Sequence, residues 1–196
     1  IFYHEKPSNI IAVTGTNGKS SVAEFYYQIL TLQKIPVASI GTLGIKTKTK
    51  IKKTNLTSLD IISLHEELSK IKKQGINNVI LEASSHGLLQ GRIKGIDFKT
   101  AIFTNLSQDH LDYHKSMKKY LEAKLIFFSK LLKEKRNIVT DNQIKEFPKL
   151  KLIAKKRKLN LLTIGKENST IKIKSLIKKN NFQKLFFKYN KKKFIM

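Results

Sequence analysis

With 196 residues, 40% of them hydrophobic and 9% aromatic, the chain suits one domain, or one domain with a small appendage, and is too apolar to be disordered. It has no cysteine, which excludes disulfides and thiolate metal sites, and no apolar run approaches the ~18 to 20 residues of a membrane span. The net charge of +25 raises a nucleic-acid partner, but only Arg92, Arg136 and Arg157 supply the forked guanidinium such surfaces favour, and the lysines are spread along the chain; neither a nucleic-acid nor a membrane partner is expected.

The chain begins with Ile1, not Met, and residues 1–6 lack the basic-then-apolar layout of a signal peptide. A fragment or trimmed chain is therefore expected. Residues 10–14 form an apolar run ending at Gly15 and predict a buried strand. Residues 19–33 predict a helix, with Val22, Phe25, Tyr26, Ile29 and Leu30 as its apolar stripe. Residues 36–40 predict a second strand, and the polar stretch 41–57 a loop with room for a strand pair. Asp60 is a suitable N-cap for a helix to about residue 74, which Gly75 closes. Strands follow at 78–83 and 100–105, then a helix from Ser116 to about residue 133, then a strand at 137–140. A short helix is expected to start at Asp141. After residue 150 the segments 161–164, 170–174 and 184–189 read as strands, with a hairpin turn at 189–192. The expected fold is α/β: a mostly parallel P-loop-type sheet with helices on both faces, plus a small antiparallel portion near the C-terminus.

Gly15, Thr16, Asn17, Gly18, Lys19, Ser20 and Ser21 stand between the first strand and first helix. Glycines there let backbone N–H groups turn toward an anion, and the helix N-terminus adds its positive end. Lys19 is placed to reach outer phosphates, and the Ser20 hydroxyl to ligate Mg2+. The fit to the general G-x-x-x-x-G-K-[ST] pattern is incomplete, because its first glycine falls on Val13. The alternative is a glycine-rich turn that binds nothing.

Three further groups stand out. Glu82 closes a buried strand, where a carboxylate is costly unless paired or on a metal, and where ligands bind in open α/β sheets. His110 follows another strand end beside Asp109 and Asp112. Imidazole and carboxylate near a phosphate loop suit Mg2+ or Mn2+, while His110 alone also reads as a capping or surface histidine. Lys124 falls on the stripe of Met117, Tyr120, Leu121 and Phe128. It must snorkel, find a partner or change its chemistry.

These residues carry a family resemblance. Residues 14–21 resemble the T-G-T-N-G-K-[ST] loop of the Mur ligases and the related folylpolyglutamate synthetases. Glu82-Ala83-Ser84-Ser85-His86-Gly87-Leu88, with Gln90 and Arg92, resembles the E-x-S-S-H-G-L-x-x-x-R block of the MurE branch. Residues 104–114 resemble T-N-L-x-x-D-H-L-D-Y-H, and 120–124 resemble Y-x-x-A-K. The four blocks occur in family order and spacing, and the match covers roughly residues 1–140.

The resemblance implies a cytoplasmic, monomeric, ATP-dependent amide ligase of peptidoglycan precursor synthesis, using ATP and Mg2+ or Mn2+. It implies UDP-N-acetylmuramoyl-L-alanyl-D-glutamate and a diamino acid, diaminopimelate or L-lysine, as substrates, joined through an acyl phosphate. Residues 15–21 would bind ATP. Ser20, Glu82 and His110 would hold metal. Lys19, His110 and a carbamylated Lys124 would be catalytic, with His86 and His114 supporting the loops. Leu56-Thr57-Ser58-Leu59-Asp60 resembles the substrate segment L-T-T-P-D, with Ser58 for Thr and Leu59 for Pro. Thr57, Ser58, Ser84, Gln90 and Arg92 are thus the substrate-side candidates; Arg92 either clamps a carboxylate or phosphate or is an ordinary surface arginine. The resemblance also divides the chain into a linker at 1–9 and a central ATP-binding domain at 10–196, incomplete at its C-terminal end. The resemblance further implies an N-terminal and a C-terminal domain on either side of this one; without them, the chain alone is expected to be a poor ligase or none. The rival readings are a folylpolyglutamate synthetase, an ATP-binding module without ligase chemistry, and a lysine-rich nucleic-acid binder over residues 145–193.

Overall fold

A computed structural model describes residues 5–54, 57–180 and 182–196. Leu56 of the expected substrate segment, and the first residues of the expected linker, lie outside the described residues. The chain opens with β1 (Asn9–Thr14), whose last three residues are buried, and α1 (Lys19–Leu32). The parallel strand β2 (Val37–Gly41) is buried throughout. The polar stretch that follows contains the short antiparallel pair β3 (Gly44–Lys46) and β4 (Ile51–Lys52). Helix α2 (Ile61–Lys73) starts where expected, because the Asp60 carboxylate accepts the N–H groups of Ile62 and Ser63 at 3.0 Å each. It buries Leu64, Leu68 and Ile71, one every turn.

Strand β5 (Asn78–Glu82) runs into the short helix α3 (Ser85–Leu89), and β6 (Phe98–Phe103) is followed by the single turn α4 (Leu111–His114). Neither short helix is legible as a pattern, because four or five residues hold too little periodicity. Helix α5 (Met117–Ile126) is capped by the Ser116 hydroxyl, which accepts the Lys119 N–H at 3.2 Å. It continues not as regular helix to residue 133 but as a π turn over Phe127–Leu131, closed by Leu132 N–H donating to Phe127 O at 3.1 Å. The wider turn brings Phe127, Phe128 and Leu132, all fully buried, onto the core side.

Strand β7 (Asn137–Asp141) does not lead directly into a helix. The Asp141 carboxylate instead accepts the Gln143 N–H at 2.7 Å and holds a turn. The helix α6 (Phe147–Lys156) begins at Phe147, with Pro148 in the first turn where its missing N–H costs nothing. Strands β8 (Asn160–Gly165), β9 (Ile171–Lys179), β10 (Phe182–Tyr189) and β11 (Lys192–Ile195) complete the chain. The β10–β11 turn places Asn190 and Lys191 at φ of 48° and 64°, the paired left-handed residues of a tight hairpin.

Among the described residues the strands form one sheet, ordered β11-β10-β9-β8-β7-β6-β1-β5-β2-β3-β4. The run from β2 to β9 is parallel, and both ends finish antiparallel. The expected antiparallel appendage is therefore continuous with the main sheet. Strand β1 lies between β5 and β6, so the chain leaves it toward β2 on one side and later builds outward through β7 and β8 on the other. The crevice at the C-terminal ends of β1, β5 and β6 is where such sheets bind ligands.

Helix α1 packs differently from its expected stripe. Ala23 and Tyr27 are its buried residues. Val22 and Tyr26 pack partly against Val13 and Ile80, while Phe25 and Ile29 are 62% and 50% exposed. A small residue at 23 lets the helix lie close to the sheet and rotates the larger apolar side chains outward.

Candidate functional site

The end of β1 turns sharply into residues 15–18. Gly15 has φ of 148°, and a Cβ there would collide with Thr104 Oγ1 and approach the Asn105 backbone to 3.1 Å. Only glycine fits. The neighbouring segment after β6 holds this turn in place. Thr16 N–H donates to Asn105 O at 2.9 Å, Asn17 N–H to Asn105 Oδ1 at 2.9 Å, and Thr104 Oγ1 to Asn17 O at 2.7 Å. Thr16 Oγ1 donates to Ser107 O at 3.2 Å and accepts the Ser107 N–H at 3.0 Å. Gly18, at φ of 82°, is the N-cap of α1 and provides no capping side chain. A helix of 14 residues thus starts at the crevice with a positive, uncapped end.

Lys19 folds back over the turn, with Nζ donating to Thr16 O at 2.8 Å and Gly15 O at 3.1 Å. Burial lowers its pKa, partly opposed by the charges of Glu82 and Asp109. Next to it, Ser20 Oγ donates to Glu82 Oε2 at 2.9 Å. Glu82 is 3% exposed at the end of β5. Its other oxygen accepts the Thr42 N–H at 3.0 Å, and Thr42 Oγ1 donates to Oε2 at 3.2 Å. A buried carboxylate is tolerable with three such donors. Gly41 makes room for it, since a Cβ at that position would overlap the Glu82 side chain.

Lys124 is 1% exposed. Its Nζ donates to Gly15 O at 2.7 Å and lies 4.4 Å from the centre of the Tyr120 ring. Burial first, and then the charge of Lys19, lower its pKa to about 7, against a weaker opposing pull from Asp109. The amine is therefore partly neutral near pH 7.

His110 stands at φ of 52°, unusual for a residue with a side chain, as the N-cap of α4. Its N–H donates to Asp109 Oδ1 at 2.9 Å, and its Nε2 is 3.4 Å from Asp109 Oδ2. Its ring meets that of His86 edge-on at 5.2 Å. His86 and His114 both have pKa values lowered by burial first, and then by neighbouring cationic groups. His114 Nε2 bonds Ser85 Oγ at 2.9 Å.

These groups surround a cleft of about 340 Å³ bounded by residues 16–21 with Thr42, Thr57, Ser84, His110, Tyr120 and Lys124. It brings together most of the candidates from distant parts of the sequence. Three substrate-side candidates sit elsewhere. Ser58 is 4% exposed; its hydroxyl donates to Glu82 O at 3.1 Å, accepts the Ser84 N–H at 3.0 Å, and lies 3.0 Å from Ser84 Oγ. It ties the segment before α2 to the end of β5. Arg92 Nη1 donates to Ser58 O at 2.7 Å and Arg92 Nε to Gln90 Oε1 at 2.8 Å, while Gln90 Nε2 donates to Tyr113 OH at 3.3 Å. Three residues of the cleft, Thr42, Ser85 and Tyr120, are missing from the candidates that the sequence supplies. Thr42 was detectable, because it follows the C-terminal end of a parallel strand. Tyr120 has a sequence signal only as part of a motif and of a buried helix stripe.

A cation would find oxygen donors here. Ser20 Oγ and Glu82 offer hard oxygen ligands side by side, which suits Mg2+. Among the described residues no three His, Asp or Glu side chains converge into a metal cage. No helix among the described residues is long and apolar enough to cross a membrane.

The family of the Mur ligase middle domain matches residues 13–196. A UDP-N-acetylmuramoyl-L-alanyl-D-glutamate--2,6-diaminopimelate ligase of Anaplasma marginale (strain St. Maries) is 39% identical over 178 residues, covering 89% of this chain and 37% of the relative. The ligase of that name in Wigglesworthia glossinidia brevipalpis is 38% identical over 186 residues, covering 92% of this chain and 35% of the relative. A solved structure of a UDP-N-acetylmuramoyl-L-alanyl-D-glutamate--2,6-diaminopimelate ligase superposes with a TM-score of 0.87 at 31% identity, over 97% of this chain and 39% of that one. The chain thus spans well under half the length of the relatives it matches.

Proposed function

Because the chain belongs to the Mur ligase middle domain family and its relatives are of the MurE type, we propose that it is the ATP-binding part of a ligase that adds a diamino acid to UDP-N-acetylmuramoyl-L-alanyl-D-glutamate. The observation that carries the reading is the pairing of Ser20 with Glu82 behind the phosphate turn, with the buried Lys124 amine bound to the same turn.

In the proposed reaction the free carboxylate of the substrate attacks the γ-phosphorus of ATP. ADP leaves, and an acyl phosphate forms. The amine of the diamino acid then attacks the acyl carbon, displaces phosphate and loses a proton. The first step brings two anions together, so positioning and positive potential dominate its catalysis. The N–H groups at the uncapped start of α1 cradle the phosphates, while those of Thr16 and Asn17 stay bonded to Asn105 and hold the turn. Lys19 exchanges its carbonyl partners for outer phosphate oxygens. Ser20 and Glu82 would hold Mg2+, with His110 on the same cleft; the ion would neutralise phosphate charge there.

Lys124 is proposed as a carbamate. Its neutral amine adds to CO2, forming an N–C bond and releasing one proton. The product is an anion beside Lys19, where the unmodified ammonium is disfavoured by burial and by that same neighbour. Residues 10–196 are proposed as the central domain of the ligase, and Thr57 and Ser84, on the cleft wall, as its substrate-side contacts.

Calorimetric titration of Mg-ATP into the parent chain and Lys19→Ala tests the nucleotide site. Loss of one charge-assisted phosphate contact is expected to weaken binding about tenfold or more. Equal affinity in the two proteins would refute the site. Titration with the UDP-muramoyl dipeptide and with a folate then distinguishes the MurE reading from a folylpolyglutamate synthetase.

A further inference from the structure

Helix α5 meets the phosphate turn with two side chains one helical turn apart. Lys124 Nζ bonds Gly15 O at 2.7 Å, and Tyr120 OH lies 3.3 Å from Thr16 Oγ1. The direction of the second bond follows from proton counting. Thr16 has one hydroxyl proton, which goes to Ser107 O, while the same oxygen accepts from the Ser107 N–H. The Tyr120 hydroxyl is therefore the donor. Tyr120 is 1% exposed; its ring centre lies 4.4 Å from Lys124 Nζ and the ring stacks at a tilt on His114, 5.0 Å between centres. A buried phenol whose hydroxyl, among the described residues, bonds Thr16 has little freedom to turn elsewhere.

We propose that Tyr120 is a positioning residue for the phosphate turn: its hydroxyl fixes Thr16 while its ring holds Lys124 against Gly15, so one turn of α5 clamps two successive residues of the turn. The clamp itself stands on these contacts. Only its effect on nucleotide affinity rests on the function proposed above.

The test uses the parent chain, Tyr120→Phe, and the same change in Thr16→Val and Thr16→Ser backgrounds. Phenylalanine keeps the ring and removes only the donor. In the nucleotide-free protein, hydrogen exchange of the Thr16 and Asn17 amides should quicken about fivefold in Tyr120→Phe, the worth of one ordinary hydrogen bond. The increment should persist on Thr16→Ser, which keeps the acceptor, and vanish on Thr16→Val, which lacks it. A merely structural tyrosine would give the same increment in all three backgrounds. That result, or unchanged loop exchange in Tyr120→Phe, would overturn the clamp. Mg-ATP affinity, read by calorimetry, should fall about fivefold in parallel. If the amides respond as expected but the parent binds no Mg-ATP, the clamp stands and the nucleotide reading fails.

Discussion

Lys124 gives the folded chain a specific pH dependence. A lysine amine free in water titrates at 10.5, and in the fold Lys124 is lowered to about 7, first by burial and then by Lys19. The folded-state value lies below the unfolded one, so between the two the unfolded chain binds the extra proton. Stability therefore rises with pH through this window. The cost of the protonated lysine is fully present below about pH 7 and is gone near pH 10.5. At about 1.4 kcal/mol per pH unit, the whole window corresponds to about 5 kcal/mol, and the step from pH 7 to pH 9 to about 2 kcal/mol. Lys124→Met keeps an unbranched side chain in the same space and removes the titration. Guanidinium unfolding of both proteins at pH 6, 7, 8 and 9, in CO2-free buffer, isolates the effect. The difference in unfolding free energy should change by about 0.3 kcal/mol from pH 6 to 7 and then move about 2 kcal/mol in favour of the lysine by pH 9. Lysines that do not interact with Lys124 are common to both proteins and cancel, and the coupling to Lys19 is part of the difference measured. Parallel stability curves from pH 7 to 9 would refute the displaced titration, and with it the physical basis for a reactive neutral amine at this position.

Gly41→Ala should push the Glu82 carboxylate out of its pocket, because the new methyl overlaps the Glu82 side chain, with Cγ and Cδ only 2.6 Å away. The expected result is that the gain in ATP affinity on adding Mg2+ falls about tenfold; an unchanged gain, measured by calorimetry with and without EDTA, would remove Glu82 from the cation site. Ser58→Ala should leave the Ser84 N–H and the Glu82 carbonyl without their buried partner, costing about 1 to 3 kcal/mol in guanidinium unfolding. Reduced affinity for the UDP-muramoyl dipeptide at unchanged stability would instead assign the Ser58 hydroxyl to substrate.

What could be read from the sequence was what is local. The strand, glycine turn and helix over residues 9–32 are contiguous, so the phosphate turn is written in one stretch. Asp60 and Ser116 announce their helices because an N-cap needs only the three residues after it. Lys124 was legible as buried because it falls in phase with Tyr120 and Leu121, and it is 1% exposed. The failures have a different physical origin. Phe25 and Ile29 look like a core stripe by hydrophobicity, but closeness of approach to the sheet is decided by the small Ala23. The end of regular helix at Ile126 depends on how Phe127 and Phe128 pack, not on a helix-breaking residue.

The cleft itself lies between these cases. Each component carries a local signal, yet its working parts are contacts across long stretches of chain: Ser20 with Glu82, Thr16 with Tyr120, Gly15 with Lys124. A parallel sheet makes such contacts unavoidable once β1 is placed between β5 and β6, because all three strands end at the same edge. What topology leaves open is which side chains at that edge face the ligand and which hold the fold together. Ser58 and Ser84 show the difference. Both are hydroxyls beside the end of β5 and bonded to each other, but Ser84 borders the cleft while Ser58 is buried behind it. Gly87 leaves the space that Ser58 fills, since a Cβ there would lie 2.7 Å from Ser58 Cβ. The division of labour between the two serines is therefore set by packing against a glycine 29 residues away from Ser58 in sequence, a constraint that no local reading of either serine contains.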